Sequence, residues 1–167
     1  RLIKGYLLGS ETVVLCSLLV GGILIVAFER WYREGEGATG DIRAMSYRNA
    51  LIVGLFQSIA MIPGVSRSAA TILGGLLLGL KRKTIVEFTF LLAVPTMLAA
   101  TGYDLIKSGS QFSPGEVQYL LIGFVTAFVV ALLSIKFLLR FIKTHTFIPF
   151  GIYRIVVVIF WVLLLKA

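Results

Sequence analysis

The sequence predicts an all-α membrane protein with about four transmembrane helices and one re-entrant helical hairpin. Of its 167 residues 58% are hydrophobic, and the mean hydropathy is +0.96. Globular proteins contain roughly 45–50% apolar residues. Several apolar stretches also approach or exceed the roughly 18–20 residues that are needed to cross a bilayer. The whole chain is therefore expected to form one integral-membrane domain.

Four stretches are long enough to be full spans. Gly21 and Gly22 in the first stretch permit a close helix contact, and Pro95 in the second is expected to kink its helix without ending it. The lone Cys16 excludes an internal disulfide. The opening RLIKGYLLGSETVV reads like a loop between spans, so an upstream portion is expected. The predicted spans are residues 12–31, 84–103, 116–136 and 147–165.

Two shorter apolar runs, 47–62 and 66–80, meet at a Pro-Gly pair. At a rise of about 1.5 Å per residue the first would be about 24 Å long, which is less than the roughly 30 Å of the hydrocarbon core. Non-helical backbone at membrane depth is tolerated where it is buried in protein or lines a water-filled cavity. We therefore expect residues 47–80 to form a re-entrant hairpin whose tip faces a cavity. Two short complete crossings are the alternative.

Positive charge predicts the orientation of this hairpin. Basic residues flank its entry, its exit and the end of the span two helices later, whereas the opposite loop, 104–115, carries Lys107 alone. By the positive-inside rule the hairpin is rooted at the cytoplasmic face, so its tip approaches the outer leaflet. The net charge of +8 then reflects topology and anionic lipid, not nucleic-acid binding. The basic residues are Arg30, Arg33, Arg43, Arg48, Lys81, Arg82, Lys83, Lys136, Arg140 and Lys143.

The turn segment PGVSRSAAT, residues 63–71, has the residue types of an anion site. Pro63 and Gly64 end the incoming half-helix, since proline lacks a donor and glycine accepts unusual dihedrals. Ser66 is a good N-cap for an outgoing helix that begins near Arg67. Free N–H groups and the positive end of the helix dipole favour anions there, phosphate above all.

The side chains of this turn strengthen the prediction. Arg67 offers a planar fork that suits a bidentate phosphate contact, and Ser66, Ser68 and Thr71 offer hydroxyl groups. Two other interpretations remain open. Thr71 can bond back to the carbonyl four residues earlier, and an arginine near a helix end often extends to the interface. A charged residue beside a broken helix in a membrane is nevertheless a functional candidate by default.

Three segments together resemble the undecaprenyl-diphosphatase family: VGLFQSIAMIPGVSRSAATILGGLLLG, EFTFLLAVP and FIPFGIYR. The resemblance implies a bacterial cytoplasmic-membrane enzyme that converts undecaprenyl diphosphate to undecaprenyl phosphate and phosphate. That reaction recycles the lipid carrier of cell-wall synthesis. The family also confers resistance to bacitracin, which competes for the substrate. The active site is expected to face the periplasmic side.

The chain departs from the family pattern in two ways. Ala69 stands where the family has a glycine after S-R-S, a change of one methyl group. The E-x-x-x-E helix and the P-V-S-S-x-G-H turn of the family's other inverted half occur nowhere in the chain. The resemblance therefore implies a C-terminal half of an inverted repeat. It places the catalytic histidine and the paired glutamates in an upstream half.

Carried over by position, the resemblance makes Arg67 the principal diphosphate ligand and a catalytic residue, together with Ser66. Ser68, Thr71 and Gly64 become substrate-binding residues. A divalent cation, Mg²⁺ or Ca²⁺, is implied between the diphosphate and the upstream glutamates, and no metal ligand is predicted in this chain. A homodimer is possible.

Four further polar residues are expected to be structural. Glu87 pairs with a basic residue such as Lys83 or packs against the hairpin, and His145 lies at the surface or interface. Arg154 is expected to extend to the interface or to pair within the structure, with phosphate contact as the alternative. Gln57 is expected to form a buried hydrogen bond between helices.

Two other classes of function fit the same residues. A lipid-phosphate transporter or flippase would also place broken helices around an anion site. A non-catalytic half would bind diphosphate without a base to activate a nucleophile. An upstream E-x-x-x-E and S-S-x-G-H would favour the phosphatase.

Overall fold

The computed structural model describes residues 10–35, 37–108, 114–142 and 145–166. The opening residues 1–9, Lys143 and residues 109–113 of the predicted loop 104–115 lie outside this description. Within these described residues four helices are long and apolar enough to cross a membrane, which confirms the prediction of an all-α polytopic membrane protein. The described helices are α1 (Glu11–Trp31), α2 (Tyr47–Ser58), α3 (Arg67–Leu77), α4 (Arg82–Ser108), α5 (Pro114–Phe141) and α6 (Ile148–Lys166).

Helices α4 and α5 extend beyond the stretches that hydropathy predicted for them. The predicted spans stop near polar residues, at 103 and at 136, whereas the helices continue to Ser108 and Phe141. Charged side chains at a helix end lie in the headgroup region, so they limit the apolar stretch without ending the helix. Pro95 lies inside α4, and the helix continues through it.

The hairpin consists of α2 and α3, which contain 12 and 11 residues. At about 1.5 Å per residue they are about 18 Å and about 16 Å long, and neither reaches the roughly 30 Å of the hydrocarbon core. A 3₁₀ turn, Ile59–Met61, follows α2 before the Pro-Gly pair. These lengths are compatible with the re-entrant hairpin, which stays a prediction.

Helix α1 packs closely on α6 through glycines. A methyl group on Gly22 would lie 2.8 Å from the carbonyl oxygen of Gly151, and one on Gly151 would lie 2.9 Å from the carbonyl oxygen of Gly22. The two backbones are therefore in direct contact, as small residues permit in membranes. The close contact that was predicted at Gly21 and Gly22 is confirmed.

Helix α3 lies between α2 and α4 and presents a glycine to each of them. A methyl group on Gly74 would lie 2.5 Å from the ring of Phe56, and one on Gly75 would lie 2.2 Å from Ile85. The fully packed core forms around the second half of α3, towards the basic end of the fold. Its buried members are Val53, Ile72, Leu76, Leu80, Ile85, Val86 and Ile142.

A buried ion pair closes the basic end of the fold. Arg82, at the start of α4, donates from Nη1 to Oε1 of Glu29 near the end of α1, and the Glu29 side chain is fully buried. Glu34 accepts a 3.2 Å hydrogen bond from the Arg82 backbone. Arg82 also lies over the Tyr32 ring, 5.8 Å from its centroid. These contacts of Arg82 join the start of α4 to the end of α1.

Tyr32 extends this contact to α3. Its hydroxyl donates to the carbonyl oxygen of Leu76 over 3.1 Å. Burial, with a smaller effect of the Glu34 carboxylate, raises the pKa of the Tyr32 phenol above its usual 10.0. The phenol thus remains protonated at neutral pH and keeps its role as donor.

Candidate phosphate-binding site

A tight turn joins the two helices of the hairpin. The Val65 N–H donates to the Ile62 carbonyl over 3.1 Å, and Pro63 and Gly64 lie between them. Gly64 has a φ of +87°, which few residues other than glycine adopt readily. Proline followed by a glycine with positive φ fits a type II turn. The chain therefore reverses within four residues and enters α3 directly.

The turn contacts α1 through Gly64. A methyl group on Gly64 would lie 2.5 Å from the carbonyl oxygen of Val14 and 3.0 Å from Cβ of Ser17. Helix α1 thus covers the α-carbon of Gly64. The carbonyl oxygen of Gly64 accepts a hydrogen bond from a residue of α6. Both of these groups are engaged in holding the turn, and the role of Gly64 in substrate binding stays a prediction.

We expect Gly64→Ala to destabilise the protein more than Gly79→Ala does. Gly79 has a similar φ of +76°, but a methyl group there would meet nothing within 4 Å. Alanine in a left-handed conformation costs about 1–2 kcal/mol at either position. At Gly64 the collision with Val14 adds about 1–3 kcal/mol. The difference between the thermal unfolding midpoints of the two variants in detergent measures this close approach, and equal midpoints would contradict it.

Arg154 of α6 holds the turn in place. It is only 8% exposed, and its Nη2 donates to the carbonyl oxygen of Gly64 over 2.6 Å. Longer bonds of 3.4 Å connect it to the carbonyls of Ser17 and Leu18 on α1. Gly21 leaves room for the guanidinium, since a methyl group there would lie 2.8 Å from Nη2. Of the roles considered for Arg154, the structure supports pairing within the fold, with carbonyl groups as partners.

The start of α3 has the features predicted for an anion site. Ser66 is the N-cap, and its Oγ accepts a 3.2 Å hydrogen bond from the Ala69 N–H. The hydroxyl of Ser68 lies 3.1 Å from that of Ser66 and is exposed. Among the described residues, the backbone N–H groups of Arg67 and Ser68 have no acceptor. Two N–H groups and a pair of hydroxyls are therefore available to a ligand.

Arg67 differs from Arg154 in having no side-chain partner within the described part of the chain. Its side chain is half-buried, and its guanidinium makes no hydrogen bond or ion pair with any residue that the structure describes. A buried or half-buried guanidinium normally has acceptors for its N–H groups. The unused donors of Arg67 thus point to an acceptor that is supplied by a ligand or by another part of the protein.

Thr71 bonds back to the carbonyl four residues earlier, as one of the two interpretations of the sequence predicted. It is fully buried, at 0% exposure, and its hydroxyl lies 3.1 Å from the carbonyl oxygens of both Arg67 and Ser68. The hydroxyl of Thr89 on α4 donates to it over 3.0 Å. The Thr71 hydroxyl is thus engaged within the fold and links α3 to α4. Its role in substrate binding stays a prediction.

Thr71→Val is expected to lower stability while it leaves substrate affinity nearly unchanged. Valine removes the link to Thr89 and leaves that buried hydroxyl without its acceptor, which costs about 1–3 kcal/mol. Thr126→Val is the matched control, because Thr126 bonds back to Ile122 over 2.8 Å on the exposed surface of α5. Unfolding midpoints and KM values for the two variants check this. A large rise in KM for Thr71→Val at unchanged stability would instead support the predicted contact between Thr71 and the substrate.

Two cavities flank the first half of α3. One of about 470 Å³ is lined by residues of α1, α3, α4, α5 and α6, and one of about 530 Å³ is lined mainly by residues of α1, α2 and α3. Ser66, Ala69 and Arg154 line both of them. The N-cap of α3 therefore lies where the two cavities meet, beside the turn that Arg154 holds.

The remaining predicted residues lie away from this site or have structural partners. Glu87 pairs with Lys83 over 3.7 Å, which confirms the expected pairing. His145 is exposed and stacks on Phe141, with ring centroids 4.3 Å apart. The Gln57 side chain forms no hydrogen bond within the described part of the chain, so the expected bond between helices is not observed. No group of three potential metal ligands occurs among the described residues.

The sequence analysis missed one contact that builds the site and one that closes the basic end of the fold. Nothing in the spacing indicated that Arg154 reaches the hairpin turn, 90 residues earlier in the chain. The buried pair of Glu29 and Arg82 was likewise not predicted. The available signal was a charged residue next to or within an apolar span, which must find a partner in the membrane.

With this geometry in place, comparison with known proteins identifies the family. The family model described as "Bacitracin resistance protein BacA" matches residues 1–160. The chain belongs to this family. Its BacA-family relatives include proteins named "Undecaprenyl-diphosphatase" from Aquifex aeolicus, at 52% identity over 157 residues, and from Persephonella marina, at 53% over 156 residues. A relative of the same name from Methanococcus aeolicus is 43% identical over 150 residues.

These BacA-family relatives are longer than the chain. The matches cover 94% and 93% of the chain but 61% of the Aquifex and Persephonella proteins, and 90% of the chain but 59% of the Methanococcus protein. The chain thus spans about three fifths of the length of the curated relatives it matches.

Proposed function

We propose that the protein, complete with an upstream half, hydrolyses undecaprenyl diphosphate to undecaprenyl phosphate and inorganic phosphate. The observation that carries this proposal is the start of α3. There the Arg67 side chain has no partner among the described residues, and it lies next to two free N–H groups and the hydroxyls of Ser66 and Ser68. The relatives' name agrees with that site, because their substrate carries a diphosphate. The site would bind that group.

The donors of the turn suit the chemistry of phosphoanhydride cleavage. Negative charge builds on the phosphate oxygens and on the leaving oxygen as the P–O bond breaks. Prearranged N–H groups and a guanidinium aimed at those oxygens stabilise the transition state more than the ground state. In this proposal Arg67 is the principal ligand, and Ser66 and Ser68 orient the diphosphate.

The reaction also needs a nucleophile, or an activated water, and a base that takes its proton. His145 stacks on Phe141 at the surface, and Glu87 is paired with Lys83. Glu29 is engaged by Arg82 at the basic end of the fold. None of these residues lines a cavity beside the turn. We therefore assign the base and the nucleophile to the upstream half.

The residues at the turn do not fit a divalent cation. Arg67 and the free N–H groups are donors, and the described residues contain no cluster of three carboxylate, histidine or cysteine ligands. A hard cation such as Mg²⁺ or Ca²⁺ requires oxygen ligands, preferably carboxylates. If the reaction uses such an ion, its ligands are diphosphate oxygens and carboxylates outside this chain.

The membrane position follows from the same proposal. The basic end, where Arg82 and Glu29 join α4 to α1, would face the cytoplasm of a bacterial cell. The turn would then lie towards the periplasmic side, where bacitracin competes for the lipid diphosphate. A homodimer remains a prediction.

A lipid-phosphate transporter is the second candidate, since it too would have broken helices around an anion site. The test is a pair of assays on the protein with its upstream half: phosphate release from undecaprenyl diphosphate in detergent, and movement of a labelled prenyl diphosphate across vesicle membranes. Release in detergent supports the phosphatase. Movement without release supports the transporter, and binding with neither supports a non-catalytic half.

A further inference from the structure

A surface groove lies between α2, α4 and the segment that joins α1 to α2. Its volume is about 500 Å³, and it shares no lining residue with the two cavities beside the hairpin turn. The proposed phosphate site therefore does not account for it. The groove is lined by Ile42, Arg43, Met45, Tyr47, Ala50, Phe88, Leu91, Leu92 and Pro95.

The lining of the groove changes from charged to apolar along α4. Arg43 and Tyr47 lie at the basic end of the fold, and Tyr47 is 92% exposed at the start of α2. From Phe88 to Pro95 the apolar part of the groove follows α4 for about 10 Å away from that end, at about 1.5 Å per residue. Leu91 is 60% exposed, so the groove opens sideways to the surrounding lipid. Its ligand would thus come from the bilayer, with a polar head group and an apolar chain.

The turn that carries Arg43 is held in place by backbone contacts. The Arg43 N–H donates to Oδ1 of Asp41 over 2.9 Å, at the start of a 3₁₀ turn that packs on α4. Just before this turn, the Thr39 N–H donates to the Gly79 carbonyl over 2.9 Å, and the Thr39 carbonyl accepts from the Lys81 N–H over 3.0 Å. The segment is therefore attached to the exit of the hairpin, and Arg43 has a fixed position at the charged end of the groove.

The guanidinium of Arg43 is available to a ligand. Its side chain is exposed, and it forms no hydrogen bond or ion pair within the part of the chain that the structure describes. The ion pairs at the basic end use Arg82 and Lys83 as their cations. A guanidinium at the membrane surface suits the oxygens of a phosphate, which it can contact with two N–H groups at once.

We propose that this groove binds one anionic glycerophospholipid of the bilayer. Its phosphate contacts Arg43 and Tyr47, and one acyl chain lies along Phe88, Leu92 and Pro95. The inference does not depend on the proposed function, because the charged end of the groove lies at the basic end of the fold, opposite the hairpin turn. By the positive-inside rule this end faces the cytoplasmic leaflet, in which anionic lipids attract basic side chains.

The head group sets the preference for an anionic lipid. An acyl chain that enters the groove exchanges contacts with lipid for contacts with protein, so the apolar part adds little affinity. The phosphate at Arg43 supplies the attraction. A zwitterionic lipid would bring a cation to the same basic surface, whereas an anionic lipid brings none. The groove should therefore distinguish phosphatidylglycerol from phosphatidylcholine.

The test is photolabelling of the protein with its upstream half in phosphatidylcholine vesicles. The probe is a phosphatidylglycerol that carries a diazirine in one acyl chain. Peptide mapping is expected to locate the label on Phe88, Leu91 or Leu92, and unlabelled phosphatidylglycerol is expected to remove it more effectively than added phosphatidylcholine. Equal competition by the two lipids would overturn the proposal. So would an absence of label in the groove, which would show that the upstream half covers it.

Undecaprenyl phosphate is the other anionic lipid to be tested as a competitor. If it removes the label at much lower concentrations than phosphatidylglycerol does, the groove belongs to the lipid of the reaction and the proposal fails. Labelling requires no turnover, so this result is independent of whether the protein releases phosphate.

A pair of arginine substitutions tests the head-group contact. Arg43→Gln is expected to reduce the competed label about fivefold, the effect of one basic residue near an anionic surface. Arg33→Gln removes the same charge from an exposed position at the same end of the fold, outside the groove, and is expected to label like the unmodified protein. Equal labelling of the two variants would contradict the assignment of the phosphate to Arg43.

A pair of tryptophan substitutions on α2 tests the position of the chain. Ala50 lines the groove, so Ala50→Trp would fill it and is expected to lower the label on α4 to the level that remains after competition. Leu51 lies outside the groove and is 72% exposed, so Leu51→Trp is expected to leave the label unchanged. Full labelling of α4 in a folded Ala50→Trp variant would overturn the acyl-chain site.

Discussion

Replacement of Arg67 by alanine is expected to abolish phosphate release from undecaprenyl diphosphate while the protein stays folded. Within the described residues the guanidinium forms no hydrogen bond or ion pair, so its removal leaves no protein group unsatisfied. Loss of a prearranged donor to transition-state charge lowers kcat by about 10²–10³-fold in well-studied enzymes. The measurement is steady-state phosphate release by the protein with its upstream half, together with its unfolding midpoint in detergent.

Two companion variants make this result specific. Arg67→Lys keeps the charge but loses the planar fork, so we expect it to retain only part of the activity. Arg140→Ala removes an exposed arginine from the last turn of α5 and is expected to leave activity unchanged. If Arg67→Ala turns over like Arg140→Ala, the hairpin turn is not the phosphate site.

Arg154→Met is expected to reduce both stability and activity, although Arg154 belongs to a different helix. Methionine fills a similar volume but leaves the carbonyl oxygen of Gly64 without its 2.6 Å donor inside the fold. An unsatisfied buried acceptor costs about 1–3 kcal/mol. The turn would also lose the group that fixes it to α1 and α6, and a displacement of about 1 Å at a catalytic site lowers rates by about 10²-fold. Unfolding midpoints and kcat measure the two effects.

Arg30→Met is the control for this variant, because Arg30 is exposed in the last turn of α1. Gly21→Ala provides a second test, since its methyl group would crowd the Arg154 guanidinium without removing its charge. We expect Gly21→Ala to shift activity in the same direction as Arg154→Met, by a smaller factor. Full activity of Arg154→Met at normal stability would show that the turn is positioned without it.

Local sequence features predicted the parts of the fold and the site that are determined by residues near each other in the chain. Hydropathy located the four spans, because each must hide its backbone from lipid. The Pro-Gly pair and the N-cap preference of serine placed the turn and the start of α3 at Arg67, since both effects act over a few residues. The glycines at 21 and 22 indicated that α1 packs closely on another helix, which the structure identifies as α6.

Contacts between distant segments could not be predicted in this way. Thr71 has the residue type of a ligand donor, but its burial against Thr89 depends on how α3 packs on α4. The resemblance placed Gly64 among the substrate-binding residues, but it could not show that Arg154 holds the Gly64 carbonyl or that Val14 covers its α-carbon. A single sequence gives residue types and spacing, and the partners of a buried polar group depend on the tertiary structure.

The central claim, that the start of α3 binds the diphosphate, is tested most directly by an experimental structure of the protein with its upstream half and a bound non-hydrolysable prenyl bisphosphonate. The account predicts phosphorus density within hydrogen-bond reach of the Arg67 and Ser68 N–H groups and of the Arg67 guanidinium. Density of the head group at the basic end beside Arg82, or against another element with Arg67 unengaged, would contradict it.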